Sequence, residues 1–328
     1  MLPLVVPSTL STAGRPKNSP ALNPAILESV IKVSAEIPPS ARTAEALGTY
    51  REGCGVVVDD TGLILTVGYL IVEAHTVAVK IKDDTLIRAV VVGYDHESGF
   101  GLIRTDEQLN LKPIMLGNSD ELIEREPVML ISAGGSQAVT GAYIVSRRQF
   151  AGYWEYLLDQ AIYTTPPHDN WAGAALIGRD GHLGGIGSLM VNNALTDHAP
   201  LPGNMFMPIN ALKPVMDDLI THGRPLRPQR PWLGVFTGES LGRLVVTRVS
   251  PDSPAERAGV RDGDVILGVS GEPVVSLADF LRRVWSLGDS GVELTLMLLT
   301  ETAVREVTIQ SASRLDYLSA SRTDKHPD

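Results

Sequence analysis

Residues 164–190 read TTPPHDNWAGAALIGRDGHLGGIGSLM. Two apolar runs, 174–177 and 183–186, flank Arg179-Asp180-Gly181-His182, so the stretch predicts a strand, a tight turn and a second strand. Ahead of them lies a bend of small residues around a tryptophan, Asn170-Trp171-Ala172-Gly173-Ala174. This is the layout of a loop that displays one side chain on a rigid β scaffold. Nucleophilic attack from such a loop needs a hydroxyl, with backbone N–H groups turned towards the developing oxyanion. The displayed residue is Ala172, and a methyl group cannot attack a carbonyl.

Outward from this stretch the chain is β-rich. Cys54 to Thr66, CGVVVDDTGLILT, reads as two strands around an Asp-Asp-Thr-Gly turn. Residues 76–82 and 86–94 repeat the device around Asp83-Asp84. Further strands are expected at 101–104, 127–132, 141–147 and 156–164, and many short strands with turn residues between them mean a barrel or sandwich. Residues 26–37 predict a short helix followed by a first strand. Residues 207–219, MPINALKPVMDDL, predict a closing helix. A proline-interleaved basic segment, 222–230, reads as a linker.

Beyond it the pattern changes to a small α/β module. Strands are expected at 244–249, 264–269, 292–299 and 304–309. A short helix is expected at 254–259, and an amphipathic helix at 276–287 whose Ser276 and Asp279 form a variant capping box. The organisation expected is a flexible arm over 1–24, a first domain over 25–221, the linker, a second domain over 231–311 and a polar, unstructured tail over 312–328.

The net charge of −10 over 328 residues argues against a nucleic-acid or anionic-membrane partner. One cysteine, Cys54, excludes an internal disulfide and reads as a small buried residue. No apolar run reaches the ~20 residues that span a bilayer, and the first residues lack a basic leader, which by itself suggests a cytoplasmic chain.

Two sets of motifs carry a resemblance. Trp232-Leu233-Gly234-Val235 followed by VSPDSPAERAGVRDGDVILGVSGEPV (249–274) is similar to a bacterial PDZ domain. In that family the WLGV-type loop offers backbone N–H groups to a peptide's terminal carboxylate while the peptide adds a strand to the sheet edge. Leu281 and Trp285 then either line the apolar side-chain site or belong to the core. The first domain resembles the HtrA (Deg) family of trypsin-like serine proteases through CGVVVDDTGLILT, VVGYD (91–95), IMLGNSDEL (114–122) and MPIN (207–210) followed by PWLGV. This implies a mainly β fold, a trypsin-like double β-barrel followed by one PDZ domain.

The resemblance breaks at the catalytic positions. The family's ILTNxHVV is ILTVGYLI here, with Tyr69 in place of the general-base histidine; a phenol with pKa near 10 is a poor base at neutral pH. GxDxxxDLAL becomes GYDHESGFGL, with Gly99 in place of the orienting aspartate. NPGNSGGPL becomes HDNWAGAAL, with Ala172 in place of the serine, Asn170 in place of an oxyanion-hole glycine and Trp171 beside it. Loss of a triad member removes roughly four to six powers of ten in rate. The expectation is a non-catalytic protein that binds C-terminal or unfolded peptides, as a chaperone-like holder or a regulatory partner of an active relative.

The enzyme alternatives are a nucleophile other than serine, such as Cys54 with His75 or His96, or a metal site built from His168, His182 and His198 with Asp169 or Asp180. These histidines follow no ligand spacing, Ser98 completes no triad, and no cofactor is expected. The resemblance implies a periplasmic location. It also implies trimers built through N-terminal aromatic residues, yet no aromatic residue precedes Tyr50.

Overall fold

The computed structural model describes residues 24–81, 85–196, 199–301 and 303–323. The expected arm and the Asp83-Asp84 turn therefore lie outside the described residues. Two compact units are present. One is formed by residues up to Ile37, Leu47–Arg148 and Gln160–Pro225; the other by Pro38–Ala46, Gln149–Asp159 and the residues from Leu226 onward.

In the first unit a short helix α1 (Pro24–Glu28) leads into β1 (Val30–Glu36); α2 (Ala44–Leu47) follows β1 in the chain, and its residues up to Ala46 belong to the second unit. A closed six-stranded barrel follows in the order β1-β2-β3-β6-β5-β4, with β2 at Tyr50–Val57, β3 at Leu63–Val67, β4 at Thr76–Lys80, β5 at Leu86–Tyr94 and β6 at Phe100–Thr105. A second closed barrel runs β10-β11-β12-β9-β8-β7, with β7 at Pro127–Ile131, β8 at Val139–Gly152, β9 at Tyr156–Thr165, β10 at Ala175–Ile177, β11 at Leu183–Val191 and β12 at Gly203–Pro208. All five residues of β3 and all five of β7 are buried, as their mainly apolar runs require of strands covered on both faces; the one polar side chain among them, Thr66, donates to the Cys54 carbonyl. The double barrel matches the expected fold class.

Three elements depart from the sequence reading. The helix expected over 207–219 is strand β12, two 3-10 turns and only then α3 (Met216–His222), capped by left-handed Gly223. Pro214 lacks the N–H that a continuous helix would need, and Met205, Phe206 and Met207 are wholly buried in the barrel. Strand β8 runs five residues past its expected end, so that β8 and β9 meet in a three-residue turn, Tyr153-Trp154-Glu155. The tail expected to be unstructured carries α6 (Arg314–Thr323), whose Tyr317 ring lies 4.3 Å from that of Trp232.

The second unit is a sheet in the order β13-β14-β15-β17-β18, with β16 paired to β15. Its strands are β13 (Val235–Ser240), β14 (Arg243–Val249), β15 (Val265–Val269), β16 (Glu272–Pro273), β17 (Glu293–Leu299) and β18 (Val304–Gln310). Helix α4 (Pro254–Arg257) starts at Ser253, whose hydroxyl accepts from the Glu256 amide. Helix α5 (Leu277–Ser286) is capped as expected, Ser276 accepting from the Asp279 amide and Asp279 from the Val275 amide. Its Leu277, Phe280, Leu281 and Val284 face the sheet in one apolar cluster with Leu233, Val235 and Leu157. Strand β13 has one strand partner, β14, and lies at the edge of the sheet.

Candidate functional site

The residues at the three expected catalytic positions lie in the first unit. Tyr69 sits in a 3-10 turn, Gly68–Leu70, that follows β3. The Gly68 amide donates to the Gly99 carbonyl at 2.7 Å, which joins this turn to the loop between β5 and β6. That loop closes on Asp95: its carboxylate accepts from the Glu97 and Ser98 amides, and its carbonyl from the Gly99 amide. Gly99 takes φ 83°, a left-handed conformation that suits glycine and disfavours an aspartate.

Ala172 lies between β9 and β10. Its carbonyl accepts from the Cys54 amide at 2.7 Å, which holds it against β2. The Trp171 side chain lies near the Tyr69 phenol, and the phenol donates to the Ser188 carbonyl on β11 at 2.9 Å. Positions 69 and 99 are thus joined through Gly68, and position 172 is placed near them by the proximity of Trp171 to Tyr69. The groups they present are a phenol already committed to a carbonyl, a bare backbone turn and a methyl. Burial drives the Tyr69 pKa far above that of an ordinary phenol, with the nearby Trp171 side chain opposing the shift. Asn170 is exposed.

The remaining candidates are placed apart. His75 directs Nδ1 at the Glu36 carbonyl and His96 at the Tyr94 hydroxyl, 2.9 and 2.8 Å away. Cys54 is buried, and burial pushes its thiol up to about 11. His168 is buried against the Thr140 hydroxyl, while His182 lies on the surface beside Asp180. His198 lies outside the described residues. Among the described residues no group of three His, Cys, Asp or Glu side chains converges as metal ligands would.

In the second unit the expected peptide-binding loop is built around Gly234. Its φ of 86° turns successive amides to one side, and a Cβ there would run into Ser253. The Leu233, Gly234 and Val235 amides converge on a single carboxylate, that of Glu155, at 3.0, 2.7 and 3.0 Å. Trp232 is not one of the donors: its amide and carbonyl pair with Ala312. Leu281 is a core residue, 1% exposed. Trp285 packs at the margin of the same cluster beneath the Arg230 guanidinium, 4.1 Å from the ring centroid.

Glu155 went unread in the sequence. It takes φ 58° at the last position of the hairpin turn, where glycine or asparagine is usual, at a cost of about 1–3 kcal/mol. Burial raises its pKa, opposed by the three amides and the Arg314 cation. Beside it the Tyr153 carbonyl accepts from the Thr237 amide of β13 at 2.9 Å. A turn ending in a residue other than Gly, Asn or Asp, within the aromatic run FAGYWEY (150–156), was the available signal.

The two units correspond to two known domain families. The trypsin-like peptidase domain matches residues 53–192 and the PDZ domain residues 245–296. The chain is similar to DegP and HtrA proteins. Over 266 residues it is 27% identical to the periplasmic serine endoprotease DegP of Escherichia coli (strain K12), covering 76% of this chain and 54% of that protein. It is 26% identical to serine protease HTRA1 of Xenopus laevis over 263 residues, 71% of this chain and 54% of the relative. The chain thus spans little more than half the length of these relatives. Among solved structures, the HtrA-type protease AlgWS227A with tripeptide superposes with a TM-score of 0.54 at 22% identity, covering 89% of this chain and 98% of that one. The serine endoprotease from Yersinia pestis gives 0.51 at 24% identity, covering 89% and 97%. These likenesses support the same fold.

Proposed function

We propose that this chain is a non-catalytic HtrA-type protein that binds peptides through its PDZ domain. The observation that carries the binding half is the convergence of the Leu233, Gly234 and Val235 amides on one carboxylate oxygen pair. That geometry accepts a peptide's C-terminal carboxylate, and the sheet edge at β13 accepts its strand. The non-catalytic half rests on Tyr69, Gly99 and Ala172, which supply no proton acceptor, orienting acid or attacking oxygen. The chain then acts as a holder of C-terminal or unfolded segments, or as a regulatory partner of an active relative. A periplasmic location accords with relatives named as periplasmic.

A C-terminal peptide array probed with the full chain and with its Glu155→Gly variant tests the binding half, each peptide being paired with a C-terminally amidated twin. Selective retention of free carboxylates by either form is expected; equal retention of both twins by both forms would refute it. Incubation with unfolded casein and a fluorophosphonate probe tests the other half. Neither cleavage nor labelling is expected, and turnover would reinstate an enzyme.

A further inference from the structure

The carboxylate loop of the second unit already holds a carboxylate. Glu155 meets three amides, Tyr153 lends its carbonyl to the Thr237 amide on the open edge of β13, and Leu157 enters the apolar cluster with Leu281 and Val284. A bound C-terminal peptide would offer the same three features: a terminal carboxylate, a main-chain hydrogen bond to the edge strand and an apolar side chain. All these residues belong to one compact unit, although Glu155 and Gly234 are 79 residues apart in sequence. Arg314 of α6 fixes the turn further by donating to the Trp154 carbonyl at 2.7 Å. The left-handed backbone at Glu155 is a conformation this residue type seldom adopts, and the three hydrogen bonds to its side chain favour it there.

We propose that residues 153–157 are an internal ligand of the PDZ site, so that an incoming peptide binds only by displacing Glu155. The inference rests on the peptide-binding reading above and names how that site is regulated. Apparent affinity for a free C-terminus then equals the intrinsic affinity multiplied by the fraction of molecules whose loop is vacated. Charge-assisted hydrogen bonds from three amides keep that fraction small. The gate is selective: a ligand without a carboxylate cannot replace what Glu155 gives up.

The test compares the full wild-type chain with Glu155→Gly, which suits the left-handed turn and removes the carboxylate, and with Glu155→Gln, which keeps the shape and removes the charge. Two readouts are taken: amide hydrogen exchange at Leu233, Gly234 and Val235, and fluorescence anisotropy with labelled decapeptides ending in an apolar residue and a free carboxylate. In Glu155→Gly the three amides should lose protection by about tenfold or more and peptide affinity should rise by about tenfold or more, with Glu155→Gln between. Unchanged protection overturns the proposal, as does lost protection with unchanged affinity. If protection is lost but neither form binds any carboxylate peptide, Glu155 stands as the loop's resident ligand and the peptide-binding reading falls instead.

Discussion

The Tyr69 hydroxyl donates to the Ser188 carbonyl across 2.9 Å, with the Trp171 side chain close by. One side chain thereby links the turn after β3 to strand β11, near the loop that carries Ala172. A phenol that gives its proton to a fixed carbonyl acts as a structural tie. Its neutral oxygen is too weak a base to take a proton from a neighbouring hydroxyl at neutral pH.

Restoring the serine alone should therefore restore nothing. Ala172→Ser is expected to remain unlabelled by a fluorophosphonate, with any casein cleavage at least about four powers of ten below that of an active relative. The combined Tyr69→His, Gly99→Asp, Ala172→Ser chain must also place an aspartate at φ 83°, with strain of about 1–3 kcal/mol. Gel fluorescence after probe treatment reads both variants.

Tyr69→Phe removes this hydrogen bond and leaves the Ser188 carbonyl, within a buried residue, without that donor. A loss of about 1–3 kcal/mol in the stability of the first unit is expected, measured by urea denaturation. No loss would mean that the phenol is not a tie.

His168 supplies a pH dependence with a defined sign. Its ring is buried, so its folded pKa lies below the ordinary 6.5, with Asp169 opposing the shift. Between these two values the unfolded chain binds more protons than the folded one. Its contribution to stability is therefore complete above pH 6.5 and is lost as the pH falls through the depressed folded value. The difference in Tm between pH 7.5 and 5.5 should be smaller in His168→Gln than in the wild type.

Cys54 should be inert while the chain is folded. Its thiol stands at about 11 against an ordinary 9.0, so its thiolate fraction at pH 8 is lower by about a hundredfold than in the unfolded chain. Alkylation by iodoacetamide is expected to be at least about 100-fold slower without urea than with it, read by intact mass. Fast modification of the folded chain would return Cys54 to the list of nucleophiles.

Much of the architecture was legible from local pattern. The hairpin over Asp59-Asp60-Thr61-Gly62 forms because Asp59 caps the turn, accepting from the Thr61 and Leu63 amides. The Ser276 cap and the apolar face of α5 follow from residues within one or two helical turns. Strand β12 was misread because MPIN and the helix after it have overlapping apolar spacing, and only pairing with β9 and β11 separates them. Helix α6 was missed because its packing onto Trp232 and its neighbours comes from residues far away in the chain.

What the sequence determined by itself is chemical identity: a strand-rich region and a small α/β module written in strand-and-turn patterns, a double-barrel and a PDZ fold implied by resemblance, and a tyrosine, a glycine and an alanine where a proton acceptor, an acid and a hydroxyl would stand. Only the tertiary structure decided which groups those residues face and what fills the carboxylate loop. A side chain's partners depend on elements that are distant in sequence and close in space. Glu155 and the loop at Leu233 meet across 78 residues, and no periodicity or local motif registers that contact.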